Sequence, residues 1–199
     1  MRTNRPHQGP NGAPHRPGMA IALPDPRTDR DTFRHMFLSL LKDIYGAEQH
    51  FAAVLQRMYS AATTGLVQNT LKDIRHASKR HLKKLERVFT MLGSTAEARK
   101  NASVASMEHD TEKLIAETPE HSTTRDAGLI LFAQRMEQYG IATYNDLVYA
   151  AHALGHSEAA CILEDILRER EYTDIELADI ADTRIHPTVG DAPLTDDDH

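Results

Sequence analysis

The sequence predicts an all-α protein: a four-helix bundle in which a long crossover joins the second and third helices. Three observations lead there. Large apolar residues recur with the helical period through the centre of the chain, and no strand-like alternation persists. Glycines at 65, 93 and 155 fall where the periodic stretches stop, as expected of the residue that most readily ends a helix. Two of the connections are short and the middle one is long, which separates two antiparallel helical hairpins.

The first helix is expected from about Asp31 to Ala62, with Asp31 or Thr32 as N-cap and a stripe that includes Phe37, Leu41, Ile44, Glu48, Phe51 and Leu55. The second, about Leu66 to Leu92, carries Leu71, Ile74, Ser78, His81, Leu85 and Val88 on one face and is followed by Gly93 at a C′ position. Residues 94–123 form the long connection, with a short helix from Ser106 to Glu117 ended by Pro119. The third helix, about Thr124 to Leu154, presents Ile130, Ala133, Glu137, Ile141 and Tyr144. The fourth, about Ser157 to Ala181, presents Leu163, Ile166, Arg170, Asp174 and Leu177. Two hairpins joined by one end-to-end crossover is the ferritin-like order of a four-helix bundle, not the simple up-down-up-down one.

The flanks read differently. Residues 1–31 hold prolines and glycines with few large apolar side chains, and residues 183–199 end in the run Asp196, Asp197, Asp198. Such segments cannot bury enough surface to offset the entropy of ordering, so a disordered arm and a disordered acidic tail are expected around a bundle at 32–182. The formal net charge of −6 is spread along the chain, which gives no footprint for nucleic acid or an anionic membrane. A single cysteine, Cys161, excludes an internal disulfide and a CxxC pair, and no export or membrane-insertion signal is visible, so a reducing cytoplasm is expected.

The functional signal lies in four residues near the middle of the four long helices. At 100° per residue, Glu48, Glu137 and Arg170 fall within roughly 20° of the mean direction of their apolar neighbours, and His81 within about 30°. Buried charge is costly unless it is paired or holds a metal, so four such residues at one level imply a single polar site. A di-metal site of this fold needs a Glu from each of two helices and a Glu-x-x-His pair from each of the other two. This chain has no inward Glu-x-x-His; Asp73 with His76 mimics the spacing but faces away from the His81 stripe, and Ala77 stands where a second ligand would share the face of His81. The candidate metal ligands are Glu48, His81, Glu137, Glu169 and Asp174. A guanidinium keeps its proton and has no lone pair to offer a metal, so Arg170 would occupy cation space and pair with Glu48, Glu137 or Asp174. The candidate polar network is therefore Glu48, His81, Glu137, Arg170 and Asp174. Asp43 and Glu86 read as surface charges available for interhelical pairs.

Four stretches, LKDIYGAEQ (41–49), HLKKLERVFTMLG (81–93), RDAGLILFAQRMEQYGIATYNDL (125–147) and LGHSEAACILEDILREREYTDIELADIA (154–181), resemble the YciE/YciF family of ferritin-like proteins. The resemblance spans nearly the whole helical core. It implies a bacterial, stress-linked, commonly dimeric ferritin-like bundle, with the aromatic edge Tyr45, Ala52 and Tyr59 as the expected contact surface. It also implies a Glu at the position of Ala77, a His at Gln138, a Glu at Gly140 and an acidic residue at Arg170, so the departures fall at the metal centre and not across the scaffold. Two functions follow as expectations. One is a stress-associated protein with a degenerate metal centre, holding no metal and performing no redox chemistry. The other is a protein with one iron or manganese ion and a peroxide-consuming or ferroxidase-type activity.

Overall fold

A computed structural model describes residues 26–185. Five α-helices follow one another: α1 (Pro26–Ala61), α2 (Gly65–Met91), α3 (Ala102–Glu117), α4 (Thr123–Leu154) and α5 (Ser157–Ile180), with a π-helical turn, Ala181–Ile185, continuing α5. No strand occurs among the described residues. The four long helices make the bundle, α1 pairing with α2 and α4 with α5, while α1 also packs on α4 and α2 on α5.

The direction of each helix follows from which ends meet. The start of α4 lies at the end of α1, where Asp126 Oδ1 and Oδ2 accept the backbone N–H groups of Thr63 and Thr64 at 2.7 and 2.9 Å. The start of α1 lies at the end of α4, where the Arg30 guanidinium donates to Leu154 O at 3.2 Å. Thus α4 runs antiparallel to α1 and parallel to α2, so the chain between α2 and α4 must travel the length of the bundle. It does so along α1: Arg99 N donates to Lys42 O at 3.2 Å, Arg99 pairs with Asp43 at 2.5 Å, and farther along Arg57 pairs with Glu108 of α3. A side chain at Gly46 would collide with the Arg99 backbone, so glycine there is what lets the crossover lie flat on α1.

Local chemistry sets the helix ends. Thr64, Asn101 and Ser122 cap α2, α3 and α4 through their side chains, and Gly155 ends α4 in the left-handed conformation at φ 80°. Arg125, almost buried, caps the other end of α3 by donating to Ile115 O at 2.9 Å and to Thr118 Oγ1 at 3.1 Å. The core runs along the axis, from Phe37, Leu41 and Ile44 on α1 to Leu129 and Ile130 on α4 and Leu163 and Ile166 on α5, all fully buried.

Three boundaries correct the sequence reading. Helix α1 begins at Pro26, so Asp31 and Thr32 lie inside it and neither is its N-cap. Residues 26–31, expected in the disordered arm, are helical because Pro suits a first helical position and because the early turns dock: Arg30 and Arg34 reach the carbonyl-rich ends of α4 and α2, at Leu154 O and Leu92 O. Residues 183–185, expected in the tail, belong to the π-helical turn. The rest of both flanks, 1–25 and 186–199, lies outside the described residues. The short crossover helix starts at Ala102, four residues before the expected Ser106, because Asn101 supplies an N-cap that accepts from Ser103 N at 2.9 Å.

Candidate functional site: a buried ion-pair layer

Glu48 of α1, His81 of α2, Glu137 of α4 and Arg170 of α5 meet at one level of the bundle, each at most 3% exposed. The amphipathic stripe of each helix aims its residue at the axis, and the bundle aligns the four mid-points. Arg170 lies between the two acids, with Nη2 donating to Glu48 Oε1 at 2.7 Å and Nη1 donating to Glu137 Oε2 at 2.8 Å. Tyr144 donates its hydroxyl to the same Glu48 Oε1 at 2.8 Å. The rings of Phe51 and Tyr144 lie 5.9 and 5.7 Å from the guanidinium carbon, within cation–π range.

His81 links this layer to the surface. Its Nδ1 lies 3.3 Å from Glu48 Oε1 without the alignment of a hydrogen bond, and its Nε2 lies 3.2 Å from Glu169 Oε2. Glu169 is partly exposed and is held by Lys84 at 2.6 Å and Arg80 at 3.4 Å. It lines a groove of about 640 Å³ between α2 and α5, with Ala77 on the opposite wall. Asp174, expected in the same network, has its Oδ1 buried without a hydrogen-bond partner, and among the described residues no bond joins it to Arg170.

The electrostatics separate the two buried acids. Burial opposes the charged form of Glu48, but the Arg170 charge and the His81 contact outweigh it and hold the carboxyl at about 2. Glu137 is raised, chiefly by burial and further by the Glu48 charge, with Arg170 opposing. Burial and the adjacent Glu48 raise the Tyr144 phenol well above its ordinary value. Burial works against the charged form of Arg170, yet the two carboxylates raise its pKa further. Glu169 is lowered because Lys84 and His81 together outweigh its desolvation. Burial raises Asp174.

The donor set does not fit a pair of cations. Both inward carboxylates face a guanidinium that sits between them, and among the described residues no cluster of three or more His, Cys, Asp or Glu side chains is arranged to hold a metal ion. What remains unsatisfied is Glu48 Oε2, His81 Nδ1 and Arg170 Nε. The arrangement balances buried charge within the protein and passes one contact, through His81 and Glu169, to solvent.

Two further residues complete the site: Tyr144, which the sequence does not single out, and Gly140, which stands out there only as a position where the family resemblance implies a Glu. Tyr144 reads there as one more residue of the apolar stripe. Gly140 matters more: a Cβ at this position would lie 2.6 Å from Arg170 Cδ and Nε and 2.7 Å from Cζ, so the guanidinium occupies the notch that glycine leaves. The signal was a glycine inside a helix, which costs about 1 kcal/mol against alanine, at i+3 from Glu137 and on the same face. The expected contact edge on α1 also changes: Tyr45 is 9% exposed, donates to Glu86 Oε1 at 3.0 Å and packs edge-on against Phe89, so it joins α1 to α2 within the chain. Ala52 and Tyr59 are half-buried. Glu86 is tied into an interhelical contact with Tyr45, Asp43 pairs with Arg99 of the crossover segment, and Asp73 and His76 are exposed.

Residues 32–189 match the family described as domain of unknown function DUF892. The chain is 31% identical over 153 residues to protein YciF of Escherichia coli K12, covering 75% of this chain and 90% of YciF. The crystal structure of the E. coli stress protein YciF superposes with a TM-score of 0.71 at 27% identity, over 75% of this chain and 94% of that one. YcfI of Rhodopseudomonas palustris, proposed to be a structural protein, superposes with a TM-score of 0.72 at 27% identity, over 75% and 95%. A Xanthomonas campestris protein, XCC3681, shares the fold at 18% identity with a TM-score of 0.64, over 79% and 97%. By sequence match and by fold, the chain belongs to the YciF family, DUF892.

Proposed function

We propose that this chain is a stress-associated, non-enzymatic bundle protein whose central layer is neutralised by its own arginine instead of by metal ions. The observation that carries the reading is the Arg170 guanidinium, bonded to Glu48 and Glu137 at 2.7 and 2.8 Å. A cation bound by those oxygens would have to displace a side chain that keeps its charge at any accessible pH. Likeness to the E. coli stress protein YciF supports the stress association, and likeness to YcfI supports a structural role. A homodimer in a bacterial cytoplasm is proposed with it, on the family resemblance of the sequence and its single cysteine. The alternative, one iron or manganese ion bound through Glu48, His81 and Glu169 with peroxide-consuming or ferroxidase-type activity, is favoured only by the unpartnered Glu48 Oε2 and His81 Nδ1.

Metal analysis of untagged protein, followed by titration with ferrous iron and oxygen, tests the choice. The expected result is metal far below one ion per chain and no iron-dependent oxygen uptake, with binding gained in Arg170→Glu. Stoichiometric iron or manganese that disappears in Glu48→Ala would overturn the reading.

A further inference from the structure

The turn after α1 puts the end of that helix beside the start of α2, and the bond from Tyr45 to Glu86, at 3.0 Å, sets the register between them. Fourteen residues toward the turn on each helix, Tyr59 lies level with Lys72, and Gln56 lies level with Arg75. These four side chains and His76 line a hollow of about 190 Å³ at the seam of α1 and α2. Lys72, Arg75 and His76 stand at i, i+3 and i+4, so the helix itself gathers them on one side. Tyr59, Lys72, Arg75 and His76 make no hydrogen bond or ion pair among the described residues. Gln56 gives one N–H to Ser60 Oγ at 3.5 Å. Lys72 and His76 are exposed, but Arg75 is partly buried and its Nε is shut off from solvent with no acceptor. A shielded donor without an acceptor is costly, and like charges one turn apart repel, so an incoming anion would relieve both.

The acids nearest this seam are turned elsewhere or already held. From Gln49 to Leu85 the chain carries a single acid, Asp73. It lines the groove on the α5 side of α2, about 160° around the helix from Arg75 and about 60° from His76, with which it makes no ion pair. Glu86 is bonded to Tyr45 and lies about 15 Å farther along α2 than His76, beyond a Debye length at physiological salt. Glu112 of α3 shares a different hollow with Gln56 and pairs with Arg57 at 3.6 Å. Other hollows have acidic walls: Asp73, Glu169, Glu176 and Asp179 border the groove between α2 and α5, and Glu112 and Glu120 border the hollow at the crossover end. The α1–α2 hollow combines donors from two helices with no carboxylate in its wall. That set suits a compact oxyanion, because a guanidinium fork can take two oxygens while Lys72, His76 and the Tyr59 hydroxyl are available to the others. A tetrahedral anion offers oxygens to both helices, whereas a carboxylate offers two in one plane.

We infer that the hollow formed by Gln56, Tyr59, Lys72, Arg75 and His76 binds a phosphate group, as the free ion or at the end of a larger molecule. The test titrates inorganic phosphate, and separately methyl phosphate, into the isotope-labelled full chain at constant ionic strength and follows the backbone amides and the Arg75 Nε–H by NMR. Saturable shifts centred on residues 56–59 and 72–76, together with a shift of the Arg75 Nε–H, are expected. Response to inorganic phosphate alone assigns the free ion, and response to both probes assigns a phosphoryl group that can carry a larger molecule. Arg75→Gln and Lys72→Gln should each weaken binding about tenfold or more through loss of a charge-assisted contact, while Lys83→Gln leaves it unchanged. Shifts that fail to saturate by about 10 mM of either probe, ten times a millimolar Kd, would overturn the inference. So would shifts that spread equally to Lys83 and Arg87, an equal response to acetate, or binding undiminished in both variants.

Discussion

Two regions of this molecule bury charge, and they do it in opposite ways. In the central layer each charged group faces another side chain: Arg170 lies between Glu48 and Glu137, and His81 between Glu48 and Glu169. At the crossover end the partners are backbone groups. Asp126 accepts two N–H groups of the α1–α2 turn, and Arg125 donates to carbonyls at the end of α3. The difference is what each region leaves behind when it changes. Side chains that satisfy one another can be exchanged together, for a different charge set or for apolar groups of similar volume. Backbone N–H and C=O groups are present whatever the sequence, so the side chain that satisfies them has no apolar substitute. A centre of the first kind accommodates a matched pair such as Gly140 and Arg170, where glycine leaves the space the guanidinium fills.

The contrast breaks first at Arg170. Arg170→Met leaves two buried carboxylates without a countercharge and is expected to cost roughly 3–5 kcal/mol, whereas the set Arg170→Met, Glu48→Leu, Glu137→Leu should return to within about 1 kcal/mol of the parent or exceed it. Urea denaturation of the two variants decides this, and a set variant as unstable as the single would mean the layer is not exchangeable. Acid titration sharpens the same point. The Glu48 carboxyl is held at about 2, below its ordinary 4.5, so its contribution is full above about pH 4.5 and fades as the pH falls toward 2. Glu137 is raised and acts with the opposite sign, its neutral form favouring the fold at low pH until the pH rises through its folded-state value. Glu48→Gln should therefore lose less stability than the parent between about pH 4.5 and 2.5, by about 2–3 kcal/mol, in denaturant melts at stepped pH. At the crossover end, Asp126→Ala is expected to cost about 2 kcal/mol by orphaning the N–H groups of Thr63 and Thr64, and Asp126→Leu should cost at least as much. Thermal unfolding of the pair measures it, and rescue by leucine would erase the distinction between the regions.

How far the site was legible depends on which physical relation each residue needed. Glu48, His81, Glu137 and Arg170 were visible because facing inward is a property of one helix and its period. Glu169 was visible only as a flanking acid. It meets His81 because α5 packs against α2, which no periodicity within α5 records. Asp174 shares the Arg170 stripe, yet no bond joins the two, since sharing a face of α5 does not bring their charged ends together. Tyr144 looks like helix filler until Arg170 is set against it, and Gly140 stands out only as a missing family Glu, because the space a glycine clears shows only once the guanidinium of α5 is seen in it.

The sequence by itself determined the helices, the two hairpins, the crossover between them and the level at which polar residues enter the core, because apolar period, glycine stops and loop length act within short reaches of chain. Tertiary structure alone decided that Arg170 bridges Glu48 and Glu137, that Asp126 holds the α1–α2 turn, and that Pro26 to Asp31 extend α1. Those outcomes are distances between helices, and a helical pattern fixes the direction of a side chain without fixing what lies at the end of it.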